Sequence, residues 1–426
     1  MRFVLFYGIQ DVRNNPERTA VQAIILRNGG GLAQIRGKGR DRADLAALPQ
    51  IQDRQGFTAV RESVTMPGMI TIRSVASLVL ATVAAVPAPV SQSMAQEVVQ
   101  PLPPREAAPV DSGFQAYLNS LRPKATAMGI SAATMDRTFP TLSYNPRVVA
   151  LDRAQPGGSF DGPIPPFEPY RRQHVDGSRI TGGRVAYREN RAKLMQIERE
   201  TGVPEAVMVA IYGHETNYGS YTGDFDLLRS LATLAYEGRR RELFEPEFLA
   251  TLKMLNDGIP RERLVGSWAG ATGYPQFLPT VYRRVARDGD GDGRADIWTS
   301  EADALASIAG YLVNAGWRRN VPWGIAVSVP ASLNRAGIAN RTVPPRCERV
   351  FERHSRWLTM AEWRGLGVRP LGAGGLSDGT LATLIEPDGA GNTAYLLTTN
   401  YRAILDYNCS NFYALSVGLL ADAVDD

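Results

Sequence analysis

The 426-residue sequence has few of the residues that most often bind transition metals or act as thiol nucleophiles, with only two cysteines and three histidines. Their spacing does not fit a zinc site. The sequence also lacks a Gly-rich phosphate loop and the Gly-x-Ser-x-Gly motif of serine hydrolases. Its formal net charge is only +4, without a dense basic tract, which does not favour nucleic-acid binding. We therefore expect neither an organic cofactor nor a nucleic-acid partner.

The length suffices for two or three domains, and 44% hydrophobic residues supply a substantial core. Hydrophobic residues recur with helical spacing over most of the chain, and the clearest helices are predicted over 184–200, 241–257 and 301–315. Short strands are predicted late in the chain, at 381–385 and 395–399. The sequence therefore predicts a mainly α-helical fold of the α+β type.

Residues 69–95 have the pattern of a secretory signal peptide. Arg73 precedes an apolar run of about 12 residues, which is shorter than the roughly 20 residues that span a bilayer. Ser93-Met94-Ala95 then fits a cleavage site. A buried helix and an uncleaved anchor are the alternatives.

The predicted signal peptide sets the boundaries of the other segments of the chain. Residues 1–68 are interpreted as a non-native upstream extension, 96–111 as a Pro-rich linker and 112–426 as the functional region. No cysteine lies directly after the apolar run, so we do not expect a lipoprotein. Export would place Cys347 and Cys409 in an oxidising compartment, where they can form a disulfide, with two free buried thiols as the alternative.

The segment 210–219 places Glu215 at the end of a helix that we expect to begin at Pro204. Val207 and Ile211 lie eight and four residues before Glu215 and share its helical face. A carboxyl group on an apolar face loses solvation, so its pKa rises and it can act as a general acid. An ordinary salt bridge at the helix end is the alternative.

The segment 266–279 combines glycines, aromatic residues and a glutamine in a pattern that is not a regular element. Glycines allow a backbone to approach a ligand closely. Trp268 and Tyr274 offer flat faces that suit sugar rings, and Gln276 can hydrogen-bond an acetamido or hydroxyl group. A tight turn with core aromatics is the alternative.

Residues 288–299 have the spacing of a calcium-binding loop. The aspartates at loop positions 1, 3, 5 and 9 are Asp288, Asp290, Asp292 and Asp296. Position 12 is Thr299 rather than the bidentate glutamate of an EF-hand, so Glu301 or Asp303 must replace it. Asp303 also fits a helix-capping pair with Ser300. A solvated Asp-Gly turn is the alternative.

Together, these segments resemble the lytic murein transglycosylase B family over about residues 112–424. The matching motifs, in chain order, are Gly213-His-Glu-Thr-Asn-Tyr-Gly219, Ser230-Leu-Ala-Thr-Leu234, Arg239-Arg240 before Phe244, the segment 266–279, the Asp-Gly loop, Ile308-Ala-Gly-Tyr311 and Tyr407-Asn-Cys-Ser-Asn-Phe-Tyr413. The resemblance implies a lysozyme-like catalytic core with an added helical region and a small Ca²⁺-binding lobe with short β-strands.

The resemblance also implies cleavage of the β-1,4 bond between N-acetylmuramic acid and N-acetylglucosamine in peptidoglycan. The muramoyl C6 hydroxyl, rather than water, attacks C1 and leaves a 1,6-anhydro end. Glu215 matches the single acid and base of this reaction. The substrate-binding residues are then Ser267, Gln276, Tyr311, Tyr407, Tyr413, Tyr170 and Tyr274. The ligands of a structural Ca²⁺ are Asp288, Asp290, Asp292, Asp296 and Asp303.

The expected partner is the peptidoglycan glycan strand, with proteins of cell-wall synthesis or of another envelope machine as further partners. We expect a monomer in the periplasm, free of the membrane after cleavage of the signal peptide. His214 points to another face of the helix than Glu215 and is interpreted as structural.

Two other functions compete with this interpretation. A muramidase-type hydrolase needs a second carboxylate, and Asp224 and Asp226 follow Glu215 in a Gly-rich loop. A non-catalytic glycan-binding scaffold needs no acid at all, and the presence of both Glu215 and Gln276 argues against it.

Overall fold

The computed structural model describes residues 24–28, 31–35, 112–155, 164–342, 347–372 and 375–425. The chain divides into two compact units, and the larger one contains residues 108–426. The predicted signal peptide at 69–95 and the predicted linker at 96–111 lie outside the described residues. Among the helices that are described, none is long and apolar enough to cross a bilayer.

The smaller unit contains an antiparallel pair of strands. Strand β1 (Ile24–Asn28) pairs with β2 (Gly31–Ile35), and Ile24 lies opposite Ile35. Both strands lie within the segment 1–68, which is interpreted from the sequence as a non-native upstream extension. The interpretation of that segment as non-native stays a prediction.

The larger unit is mainly α-helical, which confirms the predicted fold class. Its first eight described helices are α1 (Ser112–Ser120), α2 (Arg122–Ala127), α3 (Ala132–Thr138), α4 (Pro146–Arg153), α5 (Phe167–His174), α6 (Gly177–Glu189), α7 (Arg191–Thr201) and α8 (Glu205–Thr216). The helices that follow are α9 (Leu227–Glu237), α10 (Arg241–Asn256), α11 (Pro279–Val285), α12 (Glu301–Asn314), α13 (Glu348–Phe351), α14 (Met360–Gly365), α15 (Thr399–Tyr407) and α16 (Asn411–Asp425).

Capping residues set several of these helix boundaries. Ser300 accepts a hydrogen bond from the backbone N–H three residues later and precedes α12, as predicted, and Ser131 does the same before α3. Gly202 adopts the left-handed conformation that ends α7. The helices predicted over 241–257 and 301–315 are confirmed within one residue at their ends.

The single helix predicted over 184–200 is wrong, because the chain forms two helices that meet at Asn190. The Asn190 side chain donates hydrogen bonds to the carbonyl of Ala186 (3.0 Å) and to Glu301 Oε2 (2.5 Å). A side-chain amide that bonds the preceding turn competes with the helical backbone. The break lets α7 turn away from α6 and pack against α12.

The larger unit also contains two antiparallel β elements. The first pairs β3 (Phe225–Asp226) with β4 (Val265–Gly266). The second is a sheet of five strands in the order β6-β8-β9-β5-β7, formed by β5 (Gly324–Ser328), β6 (Leu358–Thr359), β7 (Arg369–Pro370), β8 (Leu381–Ile385) and β9 (Ala394–Leu397). Strand β8 has the predicted bounds 381–385, whereas β9 begins one residue and ends two residues before the strand predicted at 395–399.

Buried side chains form three clusters in the larger unit. The first surrounds α8 and includes residues of α7, α12, α15 and α16. The second joins α1, α9 and α10 to the segment 266–279. The third lies against the five-stranded sheet around Trp363, which is fully buried. Helix α8 therefore crosses the interior of the first cluster.

Cys347 and Cys409 are bonded to each other, with Cα atoms 5.5 Å apart. Cys347 lies immediately before α13, and Cys409 lies in the turn between α15 and α16. The bond therefore ties the start of α13 to the turn between α15 and α16.

Candidate active site

Glu215 lies in the last turn of α8 and is the one residue of that helix that is not buried. The helix follows Pro204 closely, as predicted, but it is buried on all sides rather than on one apolar face. It ends at Asn217, which adopts a left-handed conformation and donates its N–H to the carbonyl of Gly213. Glu215 is thus a half-buried residue at the end of an otherwise buried helix.

Burial raises the pKa of Glu215 well above its ordinary value. Its Oε2 atom is buried and accepts no hydrogen bond from the described residues. Its Oε1 atom accepts a hydrogen bond of 2.5 Å from the hydroxyl of Tyr413, which lowers the pKa and partly opposes the effect of burial. A carboxyl group in this state stays protonated to higher pH and can donate its proton to a leaving group.

Tyr413 belongs to a group of tyrosines beside Glu215. Burial raises the pKa values of Tyr407 and Tyr413 well above their ordinary values, and the charge of Glu215 adds to the increase. The rings of Tyr311 and Tyr407 lie 4.6 Å apart between centroids. The hydroxyls of Tyr407 and Tyr413 therefore remain protonated and act as hydrogen-bond donors in the site.

Tyr170 lies on the other side of Tyr413, in a stack of rings. Its ring stacks on His174 with centroids 3.8 Å apart, and His174 stacks on His214 at 5.8 Å. The His214 ring is also 5.5 Å from that of Tyr413. Burial lowers the pKa of His174 to about 4 and that of His214 well below its ordinary value, so both rings are neutral. This geometry suits packing roles for both histidines.

Gln276 ties the segment 266–279 to the loop that follows Glu215. Its Nε2 atom donates a hydrogen bond of 3.1 Å to the carbonyl of Thr222, and its backbone has a positive φ of 49°. In the same turn, the carbonyl of Pro275 accepts a hydrogen bond of 2.6 Å from the Tyr407 hydroxyl. The two segments and α15 are thereby held together around the Glu215 end of α8.

Other residues of this segment have structural contacts. Ser267 Oγ accepts a hydrogen bond of 2.9 Å from the N–H of Ala271 and closes the turn. The prediction that Trp268 offers a face to a sugar is wrong, because its side chain is 5% exposed and packs in the second cluster. Tyr274 is half-buried, with its ring 5.5 Å from that of Tyr212.

Asp226, the candidate second carboxylate, has two structural roles. It caps α9 by accepting a hydrogen bond from the N–H of Arg229 (3.0 Å), and it forms an ion pair with Arg261 (2.8 Å). Asp224 is exposed. Neither carboxylate shares a hydrogen bond with Glu215 or with its partner Tyr413 in the part of the chain that is described.

Three of the five predicted metal ligands converge. Carboxylate oxygens of Asp288, Asp290 and Asp303 lie within 4.8 Å of one another. Both oxygens of Asp288 accept N–H groups of its own loop, from Gly291 (2.6 Å) and Gly293 (2.7 Å), and these bonds lower its pKa. The cluster is an all-oxygen donor set of the type that Ca²⁺ prefers.

Asp292 and Asp296 are not part of this cluster. Asp292 accepts the N–H of Arg294 (2.8 Å), and Asp296 forms an ion pair with Arg263. Asp303 is fully buried, but its carboxylate does not complete the reciprocal capping pair predicted with Ser300. It turns instead to loop N–H groups, including that of Asp296 (2.6 Å). The spacing of the aspartates along the sequence does not show which of them lie together in the fold.

Two residues that support the site, Asp406 and Tyr218, were not predicted from the sequence. Asp406 accepts a hydrogen bond from the Tyr311 hydroxyl on its Oδ2 atom (2.9 Å) and a second on its carbonyl (2.7 Å). Tyr218 donates its hydroxyl to the carbonyl of Arg179 (2.7 Å) and anchors the turn after Glu215. Asp406 adjoins Tyr407, and Tyr218 lies within the motif 213–219, but nothing in the local sequence indicates the contacts of these two side chains.

Known proteins are similar to this chain over most of the larger unit. A family model described as the transglycosylase SLT domain matches residues 113–422. The membrane-bound lytic murein transglycosylase B of Escherichia coli (strain K12) is 29% identical over 293 residues, which cover 68% of this chain and 72% of the relative.

Solved structures are also similar. SltB3 from Pseudomonas aeruginosa in complex with NAG-anhNAM-pentapeptide has a TM-score of 0.65 and 40% identity, covering 73% of this chain and 79% of that chain. The Escherichia coli lytic transglycosylase Slt35 in complex with calcium has a TM-score of 0.59 and 25% identity, covering 74% of this chain and 93% of that chain. With its lysozyme-like, mainly helical fold, the chain belongs to the family of the transglycosylase SLT domain.

Proposed function

We propose that this protein is a peptidoglycan lytic transglycosylase, which cleaves the β-1,4 bond between N-acetylmuramic acid and N-acetylglucosamine and leaves 1,6-anhydromuramoyl ends. The observation that carries the proposal is the Glu215 carboxyl group, whose pKa burial raises well above its ordinary value, at the one position of α8 that is not fully buried. Membership of the transglycosylase family and the anhydro-sugar ligand of its relative SltB3 support it.

The first chemical step is protonation of the glycosidic oxygen. Glu215 donates its proton to this oxygen as the bond to C1 of the muramoyl residue breaks, and N-acetylglucosamine leaves with a free hydroxyl. Glu215 becomes a carboxylate in a buried position. The Tyr413 hydroxyl, 2.5 Å from Oε1, stabilises that charge with its hydrogen bond.

The second step closes the anhydro ring. The C6 hydroxyl oxygen of the same muramoyl residue bonds to C1, and its proton passes to the Glu215 carboxylate. The acid form of Glu215 is restored, and no water is consumed. One carboxyl group therefore suffices for both proton transfers, in agreement with the engagement of Asp226 in a cap and an ion pair.

The glycan strand is proposed to lie along the tyrosines and the turn that surround Glu215, in contact with Tyr170, Tyr274, Tyr407 and Tyr413. Gln276 holds the turn through its Nε2 atom, which leaves its Oε1 atom to accept a hydrogen bond from a sugar. Ser267 and Tyr311 are proposed to hold the turn and α15 in place, since Ser267 accepts the N–H of Ala271 and Tyr311 donates its hydroxyl to Asp406.

Ca²⁺ is proposed to bind Asp288, Asp290 and Asp303, because their oxygens converge and a hard cation requires several oxygen ligands. The ion would stabilise the junction of the loop 288–299 with α12 and would take no part in proton transfer.

The periplasm is the proposed location. The signal-peptide pattern at 69–95, the Cys347–Cys409 bond and a cell-wall substrate all suit an oxidising compartment outside the cytoplasm. The proposed partner is the glycan strand of peptidoglycan, and proteins of the cell-wall machinery remain candidates for further contacts.

Mass spectrometry of purified peptidoglycan digested by the protein tests the reaction. Muropeptides with anhydro ends, one water lighter than those with reducing ends, are expected. Reducing ends would identify a muramidase and would require a second carboxylate. An undigested sacculus that still binds the protein would favour the scaffold function.

A further inference from the structure

Asn411 is a buried polar residue near the candidate acid that the proposed chemistry does not use. It begins α16, two residues before Tyr413, and is only 5% exposed. A buried amide costs free energy unless hydrogen bonds within the protein replace those with water. The partners of this amide therefore indicate what the residue does.

The Asn411 side chain joins α16 to two other parts of the chain. Its Nδ2 atom donates a hydrogen bond of 2.8 Å to the carbonyl of Val350 on α13. Its Oδ1 atom lies 3.1 Å from the Tyr401 hydroxyl of α15, which is also 3.1 Å from the Asn411 carbonyl. The same Oδ1 atom lies 2.8 Å from Nε2 of His354, which follows α13. Both ends of the amide are thus engaged.

His354 is the donor in its contact with Asn411. An amide oxygen can only accept, so Nε2 of the neutral ring carries the hydrogen atom. Burial lowers the pKa of His354 to about 4, which keeps the ring neutral at higher pH. Its Nδ1 atom accepts a long hydrogen bond of 3.5 Å from the Thr383 hydroxyl on β8. A buried polar network of this kind favours one arrangement of the elements that it joins.

The first turn of α16 also carries the residue that contacts the candidate acid. Tyr413 donates its hydroxyl to Glu215 Oε1 (2.5 Å), and its ring is 5.5 Å from that of His214. Two residues of a helix are about 3 Å apart along the axis, so a displacement of Asn411 moves Tyr413 as well. Because a hydrogen bond weakens with length and misalignment, the contact with Glu215 depends on where this turn is held.

We propose that Asn411 is a positioning residue for the cleavage reaction, which holds the first turn of α16 against α13 and α15 so that the Tyr413 hydroxyl meets Glu215. Asn411 acts through Tyr413 and exchanges no proton itself. This inference rests on the proposed function, in which Tyr413 supports the acid.

The titration of Glu215 reports on this arrangement. The titratable side chains that face Glu215 or Tyr413 are Tyr407 on α15, Tyr170 on α5 and His214 on α8. Burial raises the pKa of Tyr407 and lowers that of His214, so the first stays protonated and the second stays neutral while Glu215 titrates. A change in the hydrogen bond from Tyr413 is therefore read from the pKa of Glu215.

NMR of the carboxyl carbon of Glu215 in the full chain measures this pKa, and the signal is identified by its loss in Glu215→Gln. Asn411→Ala is expected to raise the pKa and to lower kcat about threefold, because a displaced Tyr413 gives Glu215 a weaker hydrogen bond. In a chain that already carries Tyr413→Phe, Asn411→Ala is expected to change neither quantity.

Asn400→Ala is the matched control. Asn400 is also a fully buried amide in the first turn of a helix, where it accepts the N–H of Arg318 (2.7 Å) and donates to the carbonyl of Val321 (2.6 Å). It should lower the stability of the protein but leave the pKa of Glu215 unchanged, because its partners belong to neither α13 nor α16.

Tyr401→Phe is a milder variant, since it removes one hydroxyl and leaves the bonds of Asn411 to Val350 and His354. A smaller rise of the Glu215 pKa is expected. A pKa that does not rise in Asn411→Ala, or that rises as much in the Tyr413→Phe chain, would overturn the inference, and the same criteria apply to Tyr401→Phe if Asn411→Ala does not fold. The NMR titration requires no cleavage, so anhydro products from the unmodified protein report on the proposed function separately.

Discussion

At the residue scale, the chemistry depends on a carboxyl group that is buried and receives one hydrogen bond. Burial favours the neutral form of Glu215, and the Tyr413 hydroxyl favours the charged form. An acid that later serves as a base needs both influences, because it must hold a proton at the start and carry a charge after the first step.

Replacing Glu215 with glutamine should abolish cleavage and preserve glycan binding, because the amide keeps the shape of the side chain but has no proton to transfer. The rate of anhydro-muropeptide release should fall by about 10²- to 10⁴-fold. Liquid chromatography of digests measures this rate, and sedimentation with insoluble peptidoglycan measures binding.

The control for Glu215→Gln is Asp224→Asn, at an exposed position of the following loop. It should retain full cleavage. If Asp224→Asn is inactive while Glu215→Gln retains cleavage, Glu215 is not the acid and the hydrolase mechanism gains support.

Tyr413→Phe should raise the pKa of Glu215 further, because it removes the hydrogen bond that favours the carboxylate. The active acid form is lost as pH rises through this pKa. The alkaline limb of the profile of kcat/KM against pH should therefore move to higher pH, while the maximal rate falls about tenfold with the loss of one stabilising hydrogen bond.

Tyr282→Phe is the matched control for Tyr413→Phe, since the Tyr282 hydroxyl donates to the carbonyl of Ala295 (3.1 Å) in a different cluster. Its pH profile should match that of the parent protein. An alkaline limb that moves to lower pH in Tyr413→Phe would contradict the assigned role of the hydrogen bond.

At the scale of elements, the position of Glu215 depends on how α8 and α6 accommodate the ring of Tyr218. A Cβ atom added to Gly213 would lie 2.5 Å from the Tyr218 hydroxyl, and one added to Gly182 or Gly183 of α6 would lie 2.8 or 2.7 Å from the same side chain. The absence of side chains at these positions lets the ring insert and fix the turn that ends α8.

Gly213→Ala should therefore destabilise the protein by about 1–3 kcal/mol, because the added methyl group has no room. Urea denaturation followed by circular dichroism measures the change. Gly177→Ala is the control, since Gly177 begins α6 and no atom lies within 4 Å of an added Cβ there. Equal stabilities for the two variants would contradict the packing argument.

Local sequence signals predicted the elements with clear boundaries. The serine cap at Ser300 marks the start of α12, and the hydrophobic spacing of α10 is regular. The break at Asn190 was missed, because its cause is a hydrogen bond to Glu301, far away in the sequence. Strands β6 and β7 have two residues each, too few to show alternation.

At the scale of the whole molecule, Ca²⁺ should stabilise the larger unit through the three converging aspartates. A ligand at one hundred times its Kd adds about 2.7 kcal/mol to the free energy of unfolding, so EDTA should lower the Tm. Differential scanning fluorimetry with Ca²⁺ and with EDTA measures the shift.

Matched variants locate the ion. Asp290→Asn should remove the Ca²⁺-dependent shift in Tm, whereas Asp292→Asn should largely preserve it, because Asp292 lies outside the cluster. A Tm that is the same with Ca²⁺ and EDTA in the unmodified protein would refute the metal site.

The Cys347–Cys409 bond closes a loop with a sequence separation of 62 residues. The chain-entropy model predicts a stabilisation of about 4 kcal/mol for a loop of this length. The double variant Cys347→Ser, Cys409→Ser should lose a stability of that order in urea denaturation under oxidising conditions. Dithiothreitol should lower the stability of the unmodified protein but not that of the variant, and an equal response of both would contradict a structural role for the bond.

The sequence by itself determined the mainly helical class, the identity of the candidate acid and the existence of an oxygen-rich loop, because periodicity, caps and loop spacing act over a few neighbouring residues. Only the tertiary structure decided that Glu215 is the accessible residue of a buried helix, and that its partner is Tyr413, 198 residues away. The tertiary structure also buries Trp268, and it brings together three of the five aspartates that were predicted as metal ligands. Burial and hydrogen bonds between distant segments arise from packing, which no local pattern contains.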